Sequence, residues 1–264
     1  MVTIRASALS DFLDCPARAE AKHLMGLRTP SSGAAALGTA IHASTALYDQ
    51  STLTGQGLTV EETAGAAVDA IYKPRDEVVW EEEESQQNAE AVAVALHKLY
   101  CTKIAPTQDY AAVEVACERL EITDLGIALT GTTDRVRKVE GGYGISDLKS
   151  GKSAVKADGT VETKGHAYQL GVYELLAERA SGLPITAGAQ IVGLQVAKTE
   201  RGQRVGTSLP VEGARDVLVG DADSPGVLEM VARMIHSGSF PGNPRSMLCG
   251  EKFCPIYQRC RFRK

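Results

Sequence analysis

The sequence predicts an α/β fold with a small mixed β-sheet flanked by helices. Three observations predict it. Apolar residues recur at helical spacing through the first hundred residues, the period switches to two between residues 110 and 150, and a helix with further strand patterns follows. That order describes an α/β domain with a helical N-terminal part.

Each element carries its own signal. Residues 7–26 read as a helix, with Ser7 or Ser10 to cap it and Gly26 to end it. Residues 33–50 read as a second, with Leu37, Ile41 and Tyr48 near one face, and residues 60–73 and 84–105 as two more. The acidic run of Asp76, Glu77 and Glu81 to Glu84 reads as a solvated face. From Tyr110 to Ile122, Val113, Val115 and Cys117 alternate with Glu114, Ala116 and Glu118, which is strand spacing. Residues 125–139 and 142–150 are two more strands, joined by a Glu140-Gly141-Gly142 turn. Residues 163–180 are a helix, 189–198 and 203–209 strands, and 212–219 and 224–237 helices. From Gly238 onward the chain reads as loop, with Pro241, Pro244 and Pro255.

Composition bounds the function. A chain of 264 residues, 44% hydrophobic and 23% charged, buries its own core and needs no disulfides. That excludes a disordered tail, a collagen-like chain and a disulfide-rich mini-domain. The net charge of −5 argues against a non-specific nucleic-acid coat, although a local basic cleft is compatible with it. No apolar run is long enough to cross a bilayer, and the N-terminus lacks the apolar stretch of a signal peptide. The expected location is therefore the cytoplasm, of a bacterium or a phage-infected cell, where cysteines read as thiols or metal ligands.

The densest chemistry lies between Gly131 and Lys149. Residues two apart on a strand share a face, so Asp147 and Lys149 project together while Leu148 turns away to pack. Hairpin pairing can bring Asp134 beside Asp147, and Glu114 on the preceding strand can join them. Converging carboxylates repel unless something positive sits between them, and a hard cation such as Mg²⁺ or Mn²⁺ suits oxygen ligands. A lysine beside such an ion can hold a water, and the set would hydrolyse a phosphodiester. A surface charge ladder across two strands is the other reading of the same spacing. Gln169 and Tyr173, four apart, share a helix face, and Gly38 stands one turn before His42, where it lets another element approach.

Taken together, Gly38-x3-His42, Gly131-x2-Asp134, Asp147-x-Lys149 and Gln169-x3-Tyr173, in that order after Ser7-x2-Ser10-x4-Cys15-Pro16, resemble the RecB-like branch of the PD-(D/E)XK nuclease superfamily. That branch includes CRISPR-associated and phage exonucleases, and the resemblance runs from Ser7 to Cys260. It implies a metal-dependent DNA exonuclease of recombination, repair or phage DNA processing. His42, Asp134, Asp147 and the Leu148 backbone carbonyl would ligate Mg²⁺ or Mn²⁺. Lys149 would position the attacking water, and Gln169 and Tyr173 would orient the site edge and contact DNA. Glu114 has no counterpart in the pattern and is held as a neighbour of the site. The implied division is a helical region over 1–106 that contributes Cys15 and His42, a nuclease core over 107–240, and a cysteine-rich tail over 241–264 closing onto the N-terminal helix. A homo-oligomer, or a recombination or helicase partner, is compatible with this.

Cys249-x4-Cys254-x5-Cys260 lies in the proline-containing tail. Three thiolates need a fourth ligand for a closed site, and Cys15 is the candidate; zinc, an iron–sulfur cluster or an unmetallated tail are the readings of the spacing. The resemblance implies a [4Fe–4S] cluster acting as a staple, with four residues between Cys249 and Cys254 where two is the commoner family gap. Cys101 and Cys117 read as core.

Charge is uneven along the chain. Residues 133–156 hold Arg135, Arg137, Lys138, Lys149, Lys152 and Lys156 against Asp134, Glu140 and Asp147. Residues 245–264 hold Arg245, Lys252, Arg259, Arg261, Arg263 and Lys264 against Glu251. Both zones fit a passing DNA backbone, and a basic tail that aids solubility is the plainer reading of the second. Two rivals stand beside the nuclease. Ser146 to Ser153 nearly matches a phosphate-binding loop, but Ser146 replaces its first glycine. A catalytically silent DNA-binding or assembly subunit could keep the fold.

Overall fold

The computed structural model describes residues 1–81 and 85–263. The chain runs β1 (Val2–Arg5), α1 (Leu9–Asp14), α2 (Pro16–Ala19), β2 (Ser31–Ser32), α3 (Gly33–Thr54), α4 (Val60–Tyr72), β3 (Val78–Val79) and α5 (Gln86–Lys103). Then follow β4 (Tyr110–Ile122), β5 (Ile127–Val139), β6 (Gly142–Gly151), α6 (Ala167–Ser181), β7 (Gln190–Gln195), β8 (Arg204–Thr207), α7 (Ala214–Val219) and α8 (Val227–Ser237). This is the mixed α/β architecture that the pattern predicts. Among the described residues no helix is long and apolar enough to cross a membrane.

Among the described residues the main sheet has six strands, and β5 is its hub. β4 lies antiparallel along one edge of β5. The other edge is shared. β1 pairs parallel with Ile127 to Thr130, and β6 pairs antiparallel with Arg135 to Val139. β6 then continues past the end of that pairing and runs parallel to β7 from Ser146 to Gly151, with β8 beyond. The sheet therefore forks at residues 131–134, between the end of β1 and the start of β6. The turn at Glu140-Gly141 closes the hairpin with Val139 opposite Gly142, as expected, and Gly141 takes φ +83, the left-handed region that glycine tolerates.

Helices cover both faces. The side chains of Leu148, Val192 and Leu194 pack with Leu37, Ile41, Ile71, Leu96 and Tyr100 of α3, α4 and α5. On the opposite face Val136, Ile145 and Ile191 pack with Leu170 and Ala177 of α6. A third cluster joins Ile4, Ile127 and Leu129 to Phe12, Leu176 and Val231. The N-terminal ends of α3, α4 and α5 are capped by Ser32, Thr59 and Ser85, and Thr59 with Glu62 forms a reciprocal capping box. Cys101 and Cys117 lie in the core as expected.

Two expectations need correction. Residues 7–26 are not one helix: Cys15 is extended (φ −145°, ψ 93°) and separates α1 from α2, because the residue before Pro16 avoids the helical region. Residues 20–24 then widen into a π-helical turn. The strand β1 and the short parallel pair β2–β3 were not expected; both are brief, and their partners lie far away in sequence. The phosphate-loop rival falls, as its missing first glycine leads one to expect: residues 146–151 are strand and residues 152–161 a bridged turn, with no helix opening directly after Ser153. Of the acidic run, Asp76, Glu77 and Glu81 are exposed, and Glu82 to Glu84 lie outside the described residues, as does the first residue of the expected helix at 84.

One buried acid sits away from the fork. Glu174 on α6 is 6% exposed, and burial pushes its carboxyl up to about 7 despite Arg215, with Glu212, Asp216 and Glu178 adding repulsion. The shift is upward, so ionising Glu174 costs folding energy above its unfolded value, and the penalty grows as pH rises to about 7. Glu174→Gln is expected to raise the melting temperature at pH 8 by clearly more than at pH 5.5. Equal shifts at both pH values would contradict this account.

Candidate active site

The fork in the sheet determines where the polar side chains go. Where β6 leaves β5, the Leu148 backbone N–H loses a backbone acceptor on that side, and Asp134 Oδ2 takes its place at 2.8 Å. The register Arg135 opposite Ser146 sets Asp134 beside Asp147. Asp147 and Lys149 both face the α6 side, with Lys149 Nζ 2.6 Å from Asp147 Oδ2, while Leu148 turns to the opposite core. From the other helical layer His42 on α3 reaches Asp134, Nδ1 to Oδ1 3.4 Å. Gly38, one turn before it, admits β6: a Cβ there would stand 3.1 Å from Ser150 Oγ.

The α6 layer supplies the rest. Gln169 Nε2 donates to Tyr173 Oη at 2.9 Å, and Thr133 Oγ1 donates to the Tyr173 carbonyl at 3.2 Å. Gly131 is the close-approach point, since a Cβ there would meet Leu176 at 3.1 Å and Ala6 and Tyr173 at 3.4 Å. Burial and the charges of Asp147 and Asp134 hold the Tyr173 hydroxyl protonated, well above its ordinary range.

Electrostatics separates the two aspartates. Burial pushes Asp147 up to about 6; Lys149 opposes the rise and the negative charge of Asp134 adds to it. Burial also disfavours the Asp134 charge, but the charge and hydrogen bond of His42 and the Leu148 amide override it, so Asp134 stays below the usual carboxylate range. His42 is raised in return: Asp134 outweighs the opposing effect of burial. Asp147 Oδ2 is buried, and the Lys149 ammonium at 2.6 Å is its one close partner among the described residues. Two buried carboxylates and an imidazole, with only one ammonium to offset Asp147, suit a hard divalent cation. Among the described residues no three such side chains already surround one point, for Asp134 is turned to Leu148 and His42, and Asp147 to Lys149.

Glu114 stands opposite Asp134 on β4, bracketed by the pairs Val113 with Arg135 and Val115 with Thr133. It is the only non-glycine among the described residues with positive φ, +51 in mid-strand, a conformation that stores strain. Burial and the charge of Asp134 raise its carboxyl. A cleft of about 700 Å³, lined by His42, Glu114, Thr39, Lys73 and Arg75 among others, opens beside the site.

The cysteines are drawn to one place. Cys15, Cys249, Cys254 and Cys260 line a single small pocket of about 10 Å³ at the end of α1, and all are free thiols. Cys15 Sγ accepts from the Asn243 amide at 3.3 Å, and no three of the four are gathered around an ion-sized point among the described residues. Asn243 Nδ2 also donates to the Asp14 carbonyl, and Ser246 Oγ to Asp14 Oδ2 at 2.6 Å, so the tail is tied to α1.

The charge reading of residues 133–156 is corrected at its two arginines. Arg135 is wholly buried, Arg137 donates to the Ile145 and Gly188 carbonyls, Lys138 pairs with Asp109 and Lys156 with Glu162. Arg135 and Arg137 are thus structural, while Lys138 and Lys156 stay about half exposed. In the tail Lys252 pairs with Glu81, and Lys264 lies outside the described residues. Arg135, read from its neighbours in sequence as a cation for DNA, is instead held in a buried ion pair with Asp49, 86 residues away.

A comparison with family models matches residues 3–261 to the PD-(D/E)XK nuclease superfamily. The chain belongs to that superfamily. No curated protein matches the chain. Members of this superfamily are nucleases and generally use Mg²⁺ or Mn²⁺, and a nuclease-type hydrolase is what this chain is.

The packing around Gly131 gives a test. Gly131→Val forces a branched side chain against Leu176 and Tyr173 and is expected to destabilise the fold by about 1–3 kcal/mol. The urea midpoint measures it, and an unchanged midpoint would contradict the close approach.

Proposed function

We propose that the chain is a metal-dependent DNA exonuclease of the RecB-like branch, acting in recombination, repair or phage DNA processing. The observation that carries the reading is the meeting of His42, Asp134, Asp147 and Lys149 at the fork of the sheet. His42, Asp134, Asp147 and the Leu148 carbonyl would hold Mg²⁺ or Mn²⁺. A divalent ion bound there neutralises charge on the scissile phosphate and makes water a stronger nucleophile. Lys149, a quarter exposed and beside Asp147, would hold that water in line with phosphorus and stabilise developing charge. Asp147, whose burial resists full ionisation, is the ligand that gains most from a cation. Tyr173 and Gln169, hydrogen-bonded to each other, would present a neutral polar edge to the DNA, and the cleft beside His42 gives a strand access.

The N-terminal region over 1–106, the core over 107–240 and the tail over 241–264 would act as one unit, closed by a [4Fe–4S] cluster on Cys15, Cys249, Cys254 and Cys260. Their convergence on one pocket and the Asn243 and Ser246 bonds to Asp14 support a staple at this point. Zinc is the other occupant of such a thiol set.

Asp147→Ala and Lys149→Ala are each expected to fold as the wild type does and to lose cleavage of end-labelled DNA in Mg²⁺ or Mn²⁺ by at least about a hundred-fold. Wild-type rates in either variant would contradict the site. DNA binding without cleavage by the wild type would favour a silent binding subunit, and cleavage of closed circles would contradict the exonuclease reading. Protein purified without oxygen is expected to be brown, with the visible absorbance lost in Cys254→Ala. Colourless protein with one equivalent of zinc would overturn the cluster.

A further inference from the structure

We propose that Arg135 is a positioning residue that sets the distance between His42 and Asp134, and with it the affinity of the metal site. The inference rests on reading His42, Asp134 and Asp147 as the ligands. Arg135 is wholly buried, and its guanidinium fans out over four acceptors. Nε donates to Asp49 Oδ2 at 2.6 Å, Nη1 to the Asp134 carbonyl at 2.8 Å and to Glu114 Oε1 at 3.2 Å, and Nη2 to Thr45 Oγ1 at 3.4 Å.

Those acceptors are not scattered. His42, Thr45 and Asp49 lie three and then four residues apart on α3, so they form one stripe facing the sheet. Asp49 and His42 are separated by about 10 Å of helix rise, and a helix transmits that spacing rigidly. One end of the guanidinium thus holds the stripe that carries His42, and the other holds the backbone of Asp134. Tyr100 on α5 locks the anchor by donating to Asp49 Oδ2 at 2.6 Å, and its hydroxyl also meets that of Tyr110 at 3.1 Å. Glu114 is drawn to the same cation from a strained backbone at the edge of the His42 cleft. Sliding or rotating α3 on the sheet would break these bonds and change the 3.4 Å contact of His42 with Asp134 together. Only arginine has enough donors in a rigid fork for this; a lysine keeps the charge but not the fan.

The test separates positioning from simple adhesion. Mn²⁺ affinity of the folded protein is measured by calorimetry, with folding followed by circular dichroism. Arg135→Lys is expected to raise the Mn²⁺ Kd by about ten-fold or more, the range seen when a group supporting metal ligands is lost. Asp49→Asn keeps the side-chain shape and is expected to shift Kd in the same direction, and it carries the test if Arg135→Lys does not fold. Val136→Ala, a buried neighbour outside the network, is expected to lower stability without shifting Kd. Folded Arg135→Lys or Asp49→Asn with Kd within about two-fold of wild type would overturn the proposal, as would an equal shift in Val136→Ala. Mn²⁺ binding by Asp147→Ala equal to that of the wild type would instead overturn the ligand assignment beneath it.

Discussion

Two carboxylates are buried side by side where a strand leaves its neighbour, and much of the molecule is arranged around that constraint. β5 cannot pair with β1 and β6 along the same stretch, so the sheet opens at residues 131–134. The opening exposes the Leu148 amide, and Asp134 satisfies it with one oxygen while the other faces His42. Asp147 is left with a buried oxygen whose one close partner among the described residues is the Lys149 ammonium. A pair of acids in this position is costly unless cations compensate them. The chain supplies Lys149 and His42 from opposite faces of the sheet, and members of the superfamily generally use a divalent ion.

Behind that pair lies a second, fully buried charge pair, Arg135 with Asp49. Removing one partner of such a pair costs about 3–5 kcal/mol, because the other charge is left uncompensated. The arrangement is thus sensitive to loss and joins four elements, α3, α5, β4 and β5, around one ion pair. The tail makes a comparable closure at the far end of the chain, where residues 243 and 246 hold α1 through Asp14.

What was legible in the sequence was local. The alternation of Asp147, Leu148 and Lys149 assigns faces correctly, and the Glu140-Gly141 turn sets a register that places Asp134 by Asp147. The spacing of Gly38 and His42 announces a close approach on one helix face, and β6 makes it through Ser150. What was not legible depended on distant partners. β1 is four residues whose pairing lies more than 120 positions away, and no local period reveals it. Arg135 looks like a cation for DNA until Asp49, Thr45 and Tyr100 surround the space around it. The break at Cys15 was available, since Pro16 disfavours helix in the residue before it, but the apolar period on either side masked it.

Crystals of the protein soaked in Mn²⁺ test the central claim most directly, through the anomalous scattering of the metal. The account predicts one strong peak at the fork of the sheet, in contact with His42, Asp134 and Asp147. A peak elsewhere on the molecule, with none among those three side chains at saturating Mn²⁺, would contradict it.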